Sequence, residues 1–382
     1  MTHFSLKKTL LSACLIVSTL PSGLVAQELF APLWEVPQLY ENKDNAIVQK
    51  FDIIGRYHGQ YWWADSEGNK DQDWENRRMY LGFDTKLFNN FKIEVQVSIN
   101  DDFDPVYKGL YDAFIQWEKE DFAVSVGRLD YVYTGMERST SSKRIKTMER
   151  ALLVNQVMPG EVIGLYITDK IGELSYQTGL FSGSIKQEFT DFKGGFGALL
   201  GLSYPMHLFY DTGSLHLDYL YNNGNADNNA FKPYENIISL WHEGTKDAFT
   251  FGIDCTMATG VDAKSDVFGL TLLPTYDVAH NLLLNDDKLQ VAMRYHYASS
   301  SDDYSLDFAK RYEQPVTSGK GDSYNALYLG LNYYLYQQKL KLMGGVEYFE
   351  MNGVADTEDV EFNGINRSVN GWNIITGIRL YF

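Results

Sequence analysis

Two cysteines in 382 residues rule out a disulfide scaffold. Past the first two dozen residues there is no apolar run of about 18, so no membrane-spanning helix is expected. Basic residues are scarce, with 33 Lys and Arg against 50 Asp and Glu and a net charge of −17. That balance argues against nucleic acid as the main partner, because a phosphate backbone needs a basic face. At 22% charged residues the chain is no disordered acidic tail either. Proline is also sparse, at nine residues. What the chain does have is aromatic side chains (27 Tyr, 22 Phe and 7 Trp) and 32 glycines, a mixture that leans toward β structure.

The first residues read as an address. Lys7 and Lys8 precede the largely apolar run Thr9–Leu20; Pro21 and Gly23 break it, and Ala26 offers a small residue at the cut. This is the layout of a cleaved secretory signal peptide over residues 1–26, with an apolar run shorter than the ~20 residues of a spanning helix. Leu11-Ser12-Ala13-Cys14 has the form of a lipoprotein box, but little apolar sequence precedes Cys14. Losing Lys7 and Lys8 takes the net charge from −17 to −19 and leaves Cys255 as the only thiol, read as a buried small residue. Residues 27–49, with Pro32 and Pro37, read as a short periplasmic lead-in, and residues 50–382 as one barrel.

Period-two alternation fills that region. From Phe91 to Asn100 every odd position is apolar and every even one polar, and Thr250–Met257 and Leu289–Tyr297 repeat the pattern. A strand sends such sets to opposite faces. About sixteen segments of this kind can be counted, near 50–63, 76–88, 90–100, 109–119, 121–129, 161–169, 171–182, 195–205, 212–221, 235–243, 247–259, 265–277, 287–299, 322–336, 339–350 and 369–382. Their number is even and their lengths suit tilted membrane strands of ~9–11 residues. Links after even segments are tight, as at Asn89-Asn90, Lys119-Glu120, Lys170 and Gln337-Gln338. Links after odd segments, such as 64–75, 222–234, 300–321 and 351–368, are longer and polar. Short periplasmic turns and long outer loops characterise outer-membrane barrels. Phe88, Phe91, Trp117, Phe122, Tyr333, Tyr334 and Tyr336 gather at strand ends, with Trp62 and Trp63 at the opposite end, as two interfacial girdles would. Ile374, Ile378, Leu380 and the final Phe382 share a face, and a last strand ending in Phe resembles the terminal signature of outer-membrane barrels handled by the assembly machinery. The expected fold is all-β: a transmembrane antiparallel β-barrel of about sixteen strands, exported to the cell outer membrane and surrounded by lipid and lipopolysaccharide.

The longest link, about 130–160, follows the fifth segment. Over 128–150 it carries Arg128, Arg138, Lys143, Arg144, Lys146 and Arg150 against Asp130, Glu137 and Glu149, a net +3 inside an acidic chain. A sixteen-strand barrel encloses an aqueous channel. A loop folded into it sets the narrowest section, where charge selects ions by sign. The alternative is that these cations pair with Glu137, Glu149 and wall carboxylates and fasten the loop.

Val126-Gly127-Arg128-Leu129, Met136-Glu137-Arg138-Ser139-Thr140-Ser141-Ser142-Lys143 and Met148-Glu149-Arg150-Ala151 resemble the constriction-loop region of the phosphate-selective porin O and P family. Arg77-Arg78-Met79-Tyr80-Leu81-Gly82-Phe83 resembles that family's paired-arginine second strand. The resemblance implies a homotrimeric passive channel for small hydrophilic solutes, with anions preferred, and points to Arg138, Lys143, Arg144, Lys146 and Arg150 as pore-lining residues. One feature departs from the family's pattern. Alternation puts Arg56, Arg78, Lys92, Arg294 and Lys341 inside, but also Asp52, Asp84, Glu94, Asp112, Asp254 and Glu347, so the wall is mixed.

No cofactor or metal is expected. The histidines are scattered without HExxH, and Asp101-Asp102-Phe103-Asp104 and the acidic run 356–361 read as solvated loop faces rather than Ca²⁺ sites. With no GxSxG either, an enzyme is not expected. The competing readings are a general or cation- or sugar-preferring porin, a barrel-type membrane hydrolase, and a surface-adhesive barrel whose 130–160 loop points outward.

Overall fold

The computed structural model describes residues 26–130, 134–207, 209–262, 264–302, 305–355 and 367–382. The signal peptide up to residue 25 and the acidic run 356–361 lie outside the described residues. A helix, α1 (Ala26–Glu35), and a short strand, Gln38–Glu41, occupy the expected lead-in. Sixteen strands follow: β1 (Val48–Ser66), β2 (Asn69–Leu87), β3 (Phe91–Ile99), β4 (Tyr107–Lys119), β5 (Phe122–Leu129), β6 (Val162–Ile171), β7 (Leu174–Ser182), β8 (Gly195–Pro205), β9 (Thr212–Gly224), β10 (Tyr234–Lys246), β11 (Phe249–Gly260), β12 (Val267–His280), β13 (Lys288–Ser300), β14 (Ser323–Tyr336), β15 (Leu340–Val354) and β16 (Arg367–Tyr381). Each pairs antiparallel with its sequence neighbours, and β16 pairs with β1 from Gly371↔Ser66 to Tyr381↔Arg56, closing the sheet into a barrel.

Alternation decides which face looks where. On β14, Leu327, Leu329 and Leu331 point out while Ala326 and Tyr328 are buried inside. Leu215, Leu217 and Tyr219 of β9 and Ile238 and Leu240 of β10 continue the outer apolar belt. Inside stand Arg56, Gln60, Asp218, Asp254, Arg294, Lys341 and Arg379, all shielded from bulk solvent. Phe88 with Phe91 and Trp117 with Phe122 meet edge-to-face near the short turns, as a girdle requires.

Several expectations are corrected. The 64–75 stretch is not a long loop: β1 and β2 run 19 residues each and join through Glu67-Gly68, both at positive φ (52° and 88°), a two-residue hairpin turn. Trp62, Tyr334 and Tyr336 are no girdle residues, because the alternation of their strands turns them inward. Cys255 sits half-buried on the outward face of β11, between Ile253 and Met257.

The outer belt yields a direct test. Leu329→Arg puts a charge on the lipid face in the middle of β14 and should cost about 2–4 kcal/mol of barrel stability, read as a shifted urea midpoint in lipid vesicles. A change under about 0.5 kcal/mol would place Leu329 away from hydrocarbon.

Candidate functional site: the in-folded loop and the barrel lumen

Two β-bulges shape the wall before the loop reaches it. The β1–β2 register slips between His58 and Gly59, so that Arg77 is the extra residue of β2. Its side chain turns to the lumen together with that of Arg78, where strict alternation would send one of them to lipid. A second slip, between Gln96 and Val97, leaves Tyr111 as the extra residue of β4 and brings both Tyr111 and Asp112 inside. Tyr111 stacks on Tyr80 at 4.0 Å, and the Arg56 guanidinium lies 5.1 Å from the Tyr80 ring centre and 5.7 Å from that of Tyr111.

The segment between β5 and β6 crosses this lumen. It contains α2 (Met136–Ser139) and α3 (Leu152–Val157). At the start of α2 the Gly135 amide donates to Asp218 Oδ2 (3.0 Å) and the Met136 amide to Asp254 Oδ2 (2.6 Å), so two wall carboxylates satisfy the helix's free N–H groups. Glu137 accepts from Arg294 NH1 (2.9 Å) and from the Ala151 amide (2.6 Å), and Arg294 NH2 reaches Glu347 (2.6 Å). Glu149 is gripped by Arg77 through Nε (2.7 Å) and NH2 (3.1 Å), a two-pronged pair. Burial opposes ionisation of Glu149, but the Arg77 and Arg78 guanidiniums outweigh it and hold its carboxyl well below the usual carboxylate range. Lys341 Nζ donates to Ile145 O (2.8 Å), Asn332 Nδ2 to Lys146 O (2.8 Å) and Arg379 NH2 to Met148 O (3.2 Å). Glycine makes close approach possible: a Cβ on Gly252 would collide with Met136 Sδ, and one on Gly269 with Leu153. Around α3, Leu152, Leu153 and Val157 join Leu199, Leu220, Ile237 and Val267 in an apolar cluster.

The expected site residues divide into four groups. Arg138, Lys146 and Arg150 fasten the loop: Arg138 pairs with Asp130, Lys146 with Glu243 (2.6 Å), and Arg150 donates to Glu137 O and Thr140 O (2.8 Å each). Lys143 and Arg144 are held otherwise, with Lys143 Nζ 5.1 Å from the centre of the Tyr381 ring and Arg144 beside the same tyrosine. Arg56 and Arg78 stand on the inner wall. Arg128 is corrected: it pairs with Ala113 and Ile163, on the outward parity of Val126, and donates to Tyr111 O and to Glu188 O of the 183–194 link. Arg77, named before only within the paired-arginine motif, and Arg379 also join the site. A bulge leaves no trace in residue types, whereas the last strand's alternation does set Arg379 opposite Ile378 and Leu380.

Ion pairing leaves the two signs unequal. Among the described residues, Arg56, Arg78, Lys341, Arg379, Lys143 and Arg144 have no carboxylate oxygen within 4.0 Å, and polar nitrogens of Arg56, Arg78 and Arg379 lack any hydrogen-bond partner. Most lumen carboxylates are taken: Asp84 and Glu94 by Lys92 (3.3 and 2.7 Å), Glu137 and Glu347 by Arg294, Glu243 by Lys146, and Asp218 and Asp254 by the loop backbone. Open space persists toward the short turns, where a cavity of about 460 Å³ is lined by Ser139, Tyr176, Gln177, His216, Asp218 and Trp241.

A closed, even-stranded barrel, greasy outside and charged within, is the architecture of an outer-membrane-type β-barrel. Residues 51–207, spanning β1–β8, match the model of the family described as Phosphate-selective porin O and P, which bears out the resemblance carried by the paired arginines and the loop. The fold is also similar to solved structures. Pseudomonas putida OprB is 11% identical with a TM-score of 0.58, over 87% of this chain and 94% of that one. The anion-selective porin from Comamonas acidovorans is 12% identical with a TM-score of 0.57, over 87% and 99%. The outer membrane channel DcaP of Acinetobacter baumannii is 11% identical with a TM-score of 0.53, over 90% and 100%. No curated protein matches the chain.

The Arg77–Glu149 pair generates a prediction. Glu149→Gln leaves a buried guanidinium without its counter-charge, which should cost about 3–5 kcal/mol and lower the guanidinium-unfolding midpoint of the solubilised barrel. An unmoved midpoint would mean that the pair does not anchor the loop.

Proposed function

We propose that this outer-membrane-type barrel is a porin, a passive channel for small hydrophilic solutes that prefers anions, phosphate-like oxyanions among them. The observation that carries the reading is the set of lumen cations (Arg56, Arg78, Lys143, Arg144, Lys341 and Arg379) that have no carboxylate partner among the described residues. Lys341 and Arg379 are covered by the loop and act through their field, which low-dielectric walls concentrate. On the other side of the loop Arg144 is exposed and Lys143 half-buried beside it, where a permeating anion exchanges part of its water shell for their N–H groups. The printed description of the Comamonas porin as anion-selective and the family's description as phosphate-selective lie in the same direction. We further propose a cleaved leader over residues 1–26 and a homotrimer, following the family resemblance.

In planar bilayers under a KCl gradient the reversal potential should report chloride preference. Exchanging Lys143 and Arg144 together for Gln should lower the chloride-to-potassium permeability ratio several-fold, whereas Lys146→Gln, which frees Glu243, should act through added negative charge. An unmoved potential in the double variant, or cation preference in the native chain, overturns the reading.

Lys143 adds a pH signature. Burial, helped by the neighbouring Arg56 guanidinium, lowers its ammonium to about 8. Its charge is therefore complete below that pH and lost above it, so chloride preference should fall as pH rises through about 8. Lys143→Gln should flatten that step in the reversal potential.

A further inference from the structure

A second segment also enters the barrel. Between β13 and β14 the chain turns back on itself, and residues 305–321 pack inside rather than standing outside. Leu306 and Phe308 are buried with Tyr324, Phe349 and Met351 in the larger apolar cluster. Tyr312 and Val316 join Trp62, Ala64, Met148, Tyr328, Met343 and Ile375 in the smaller one. The Tyr312 ring meets Trp62 edge-on at 5.6 Å. Its hydroxyl lies 3.1 Å from both Glu75 Oε1 and Glu149 Oε1 and receives the Gln60 amide, while Arg311 pairs with Glu75. The two in-folded segments also touch at Gln156 of α3, whose Nε2 donates to Ser305 O at 2.9 Å. Glu149 is therefore shared: Arg77 fastens one segment to the wall through it, and Tyr312 seats the other segment upon it.

We propose that residues 305–321 form a second constriction element and that Tyr312, seated on Glu149, couples it to the first loop, so that two segments jointly set the size limit for passage. The inference rests on the channel reading above and adds what determines size rather than charge selectivity. Apolar packing against β14, β15, β16 and β1 closes that side of the lumen to solutes and leaves passage to the remainder.

Glu313 makes the seat responsive to pH. It has no exposed surface, accepts from the Ala309 amide (2.7 Å) and the Tyr324 hydroxyl (2.5 Å), and is also met by Asn373 of β16. Facing it from β15 is Glu347, itself paired with Arg294 of β13. Burial, opposed in part by the bonds from Tyr324 and Ala309, raises its carboxyl from the ordinary 4.5 to about 7. A released segment would titrate at the ordinary value. The seat is therefore firmest below about 4.5, weakens as pH rises to about 7, and changes no further above it.

The test uses the full processed chain in bilayers and in liposomes swollen with neutral saccharides of graded size. Tyr312→Ala should raise single-channel conductance roughly twofold, as a plugged part of the cross-section opens, and admit larger saccharides with the reversal potential little changed. Native conductance should climb between pH 4.5 and 7 and then level off, while Glu313→Gln should hold its low-pH value throughout. If Tyr312→Ala fails to insert, Tyr312→Phe, which keeps the ring and removes the hydroxyl contacts, carries the same expectation in smaller measure. A conducting native channel whose Tyr312 variants keep its conductance and size limit overturns this inference alone. A pH-independent native conductance overturns the part assigned to Glu313, and a native chain that does not conduct overturns the channel reading itself.

Discussion

Hydrocarbon offers no hydrogen bonds, so a strand can cross it only if every backbone N–H and C=O finds a partner on a neighbouring strand. The ladder between β16 and β1 is where that requirement is met or lost. Reciprocal bonds of 3.1 Å between Gly55 and Phe382 finish the ladder at the last residue, and the Trp34 indole donates to Tyr381 O at 2.7 Å. Ahead of Gly55 the start of β1 is paired instead by the short strand Gln38–Glu41, at Lys50–Asp52. Closure then dictates the rest. Sixteen strands of fixed alternation can only send their polar halves inward, into a confined space where charges lose much of their hydration.

That space behaves as the core of an inside-out protein, and charges in it must be matched. The wall alone does not match them: Asp218, Asp254, Arg294, Glu347 and Lys341 come from four strands, and only Arg294 and Glu347 reach each other. Residues 134–161 supply what is missing, with backbone amides for the two aspartates, Glu137 for Arg294 and a carbonyl for Lys341. Removing one member of such a set leaves a buried charge alone, at a cost of several kcal/mol. The loop is held in place by the wall's unmet demands more than by its own propensities; its two helices, of four and six residues, are too short to persist without them.

The barrel was largely legible because period-two alternation is an intrinsic property of a strand with one face in lipid. Fifteen of the sixteen segments appear within a few residues of their expected places, and the second starts seven residues early, at Asn69. The failures share a cause. Alternation cannot say where a bulge inserts an extra residue, so Arg77 and Tyr111 were not placeable by counting. It also cannot say where a hairpin ends when polar strand continues past the membrane, which hid the Glu67-Gly68 turn. Clustering by sequence proximity misplaced Tyr334 and Tyr336, whose inward direction follows from Ala326 and Tyr328 on the same strand. The loop's cations were legible as a group, but which of them fasten and which remain free depends on partners that counting along the chain does not pick out, from Asp130, eight residues from Arg138, to Glu243, 97 residues from Lys146. The second in-folded segment carried no warning: residues 305–321 look like any polar outer link until Phe308, Tyr312 and Val316 are seen against the wall.

The family match ends near residue 207, after β8, yet the loop it includes is anchored mainly beyond it. Asp218, Glu243, Asp254, Arg294, Asn332, Lys341 and Arg379 all belong to β9–β16. The first half thus contributes the paired arginines and the loop, and the second half the groups that receive them across the lumen. A barrel whose strand path is dictated by lipid outside is free to choose different charge pairs inside. TM-scores of 0.53 to 0.58 at 11–12% identity fit that division of labour. The outer surface answers to a single solvent and tolerates any apolar residue. The inner surface must balance specific charges one against another, and whatever sign remains after the balance is the sign a permeating solute meets.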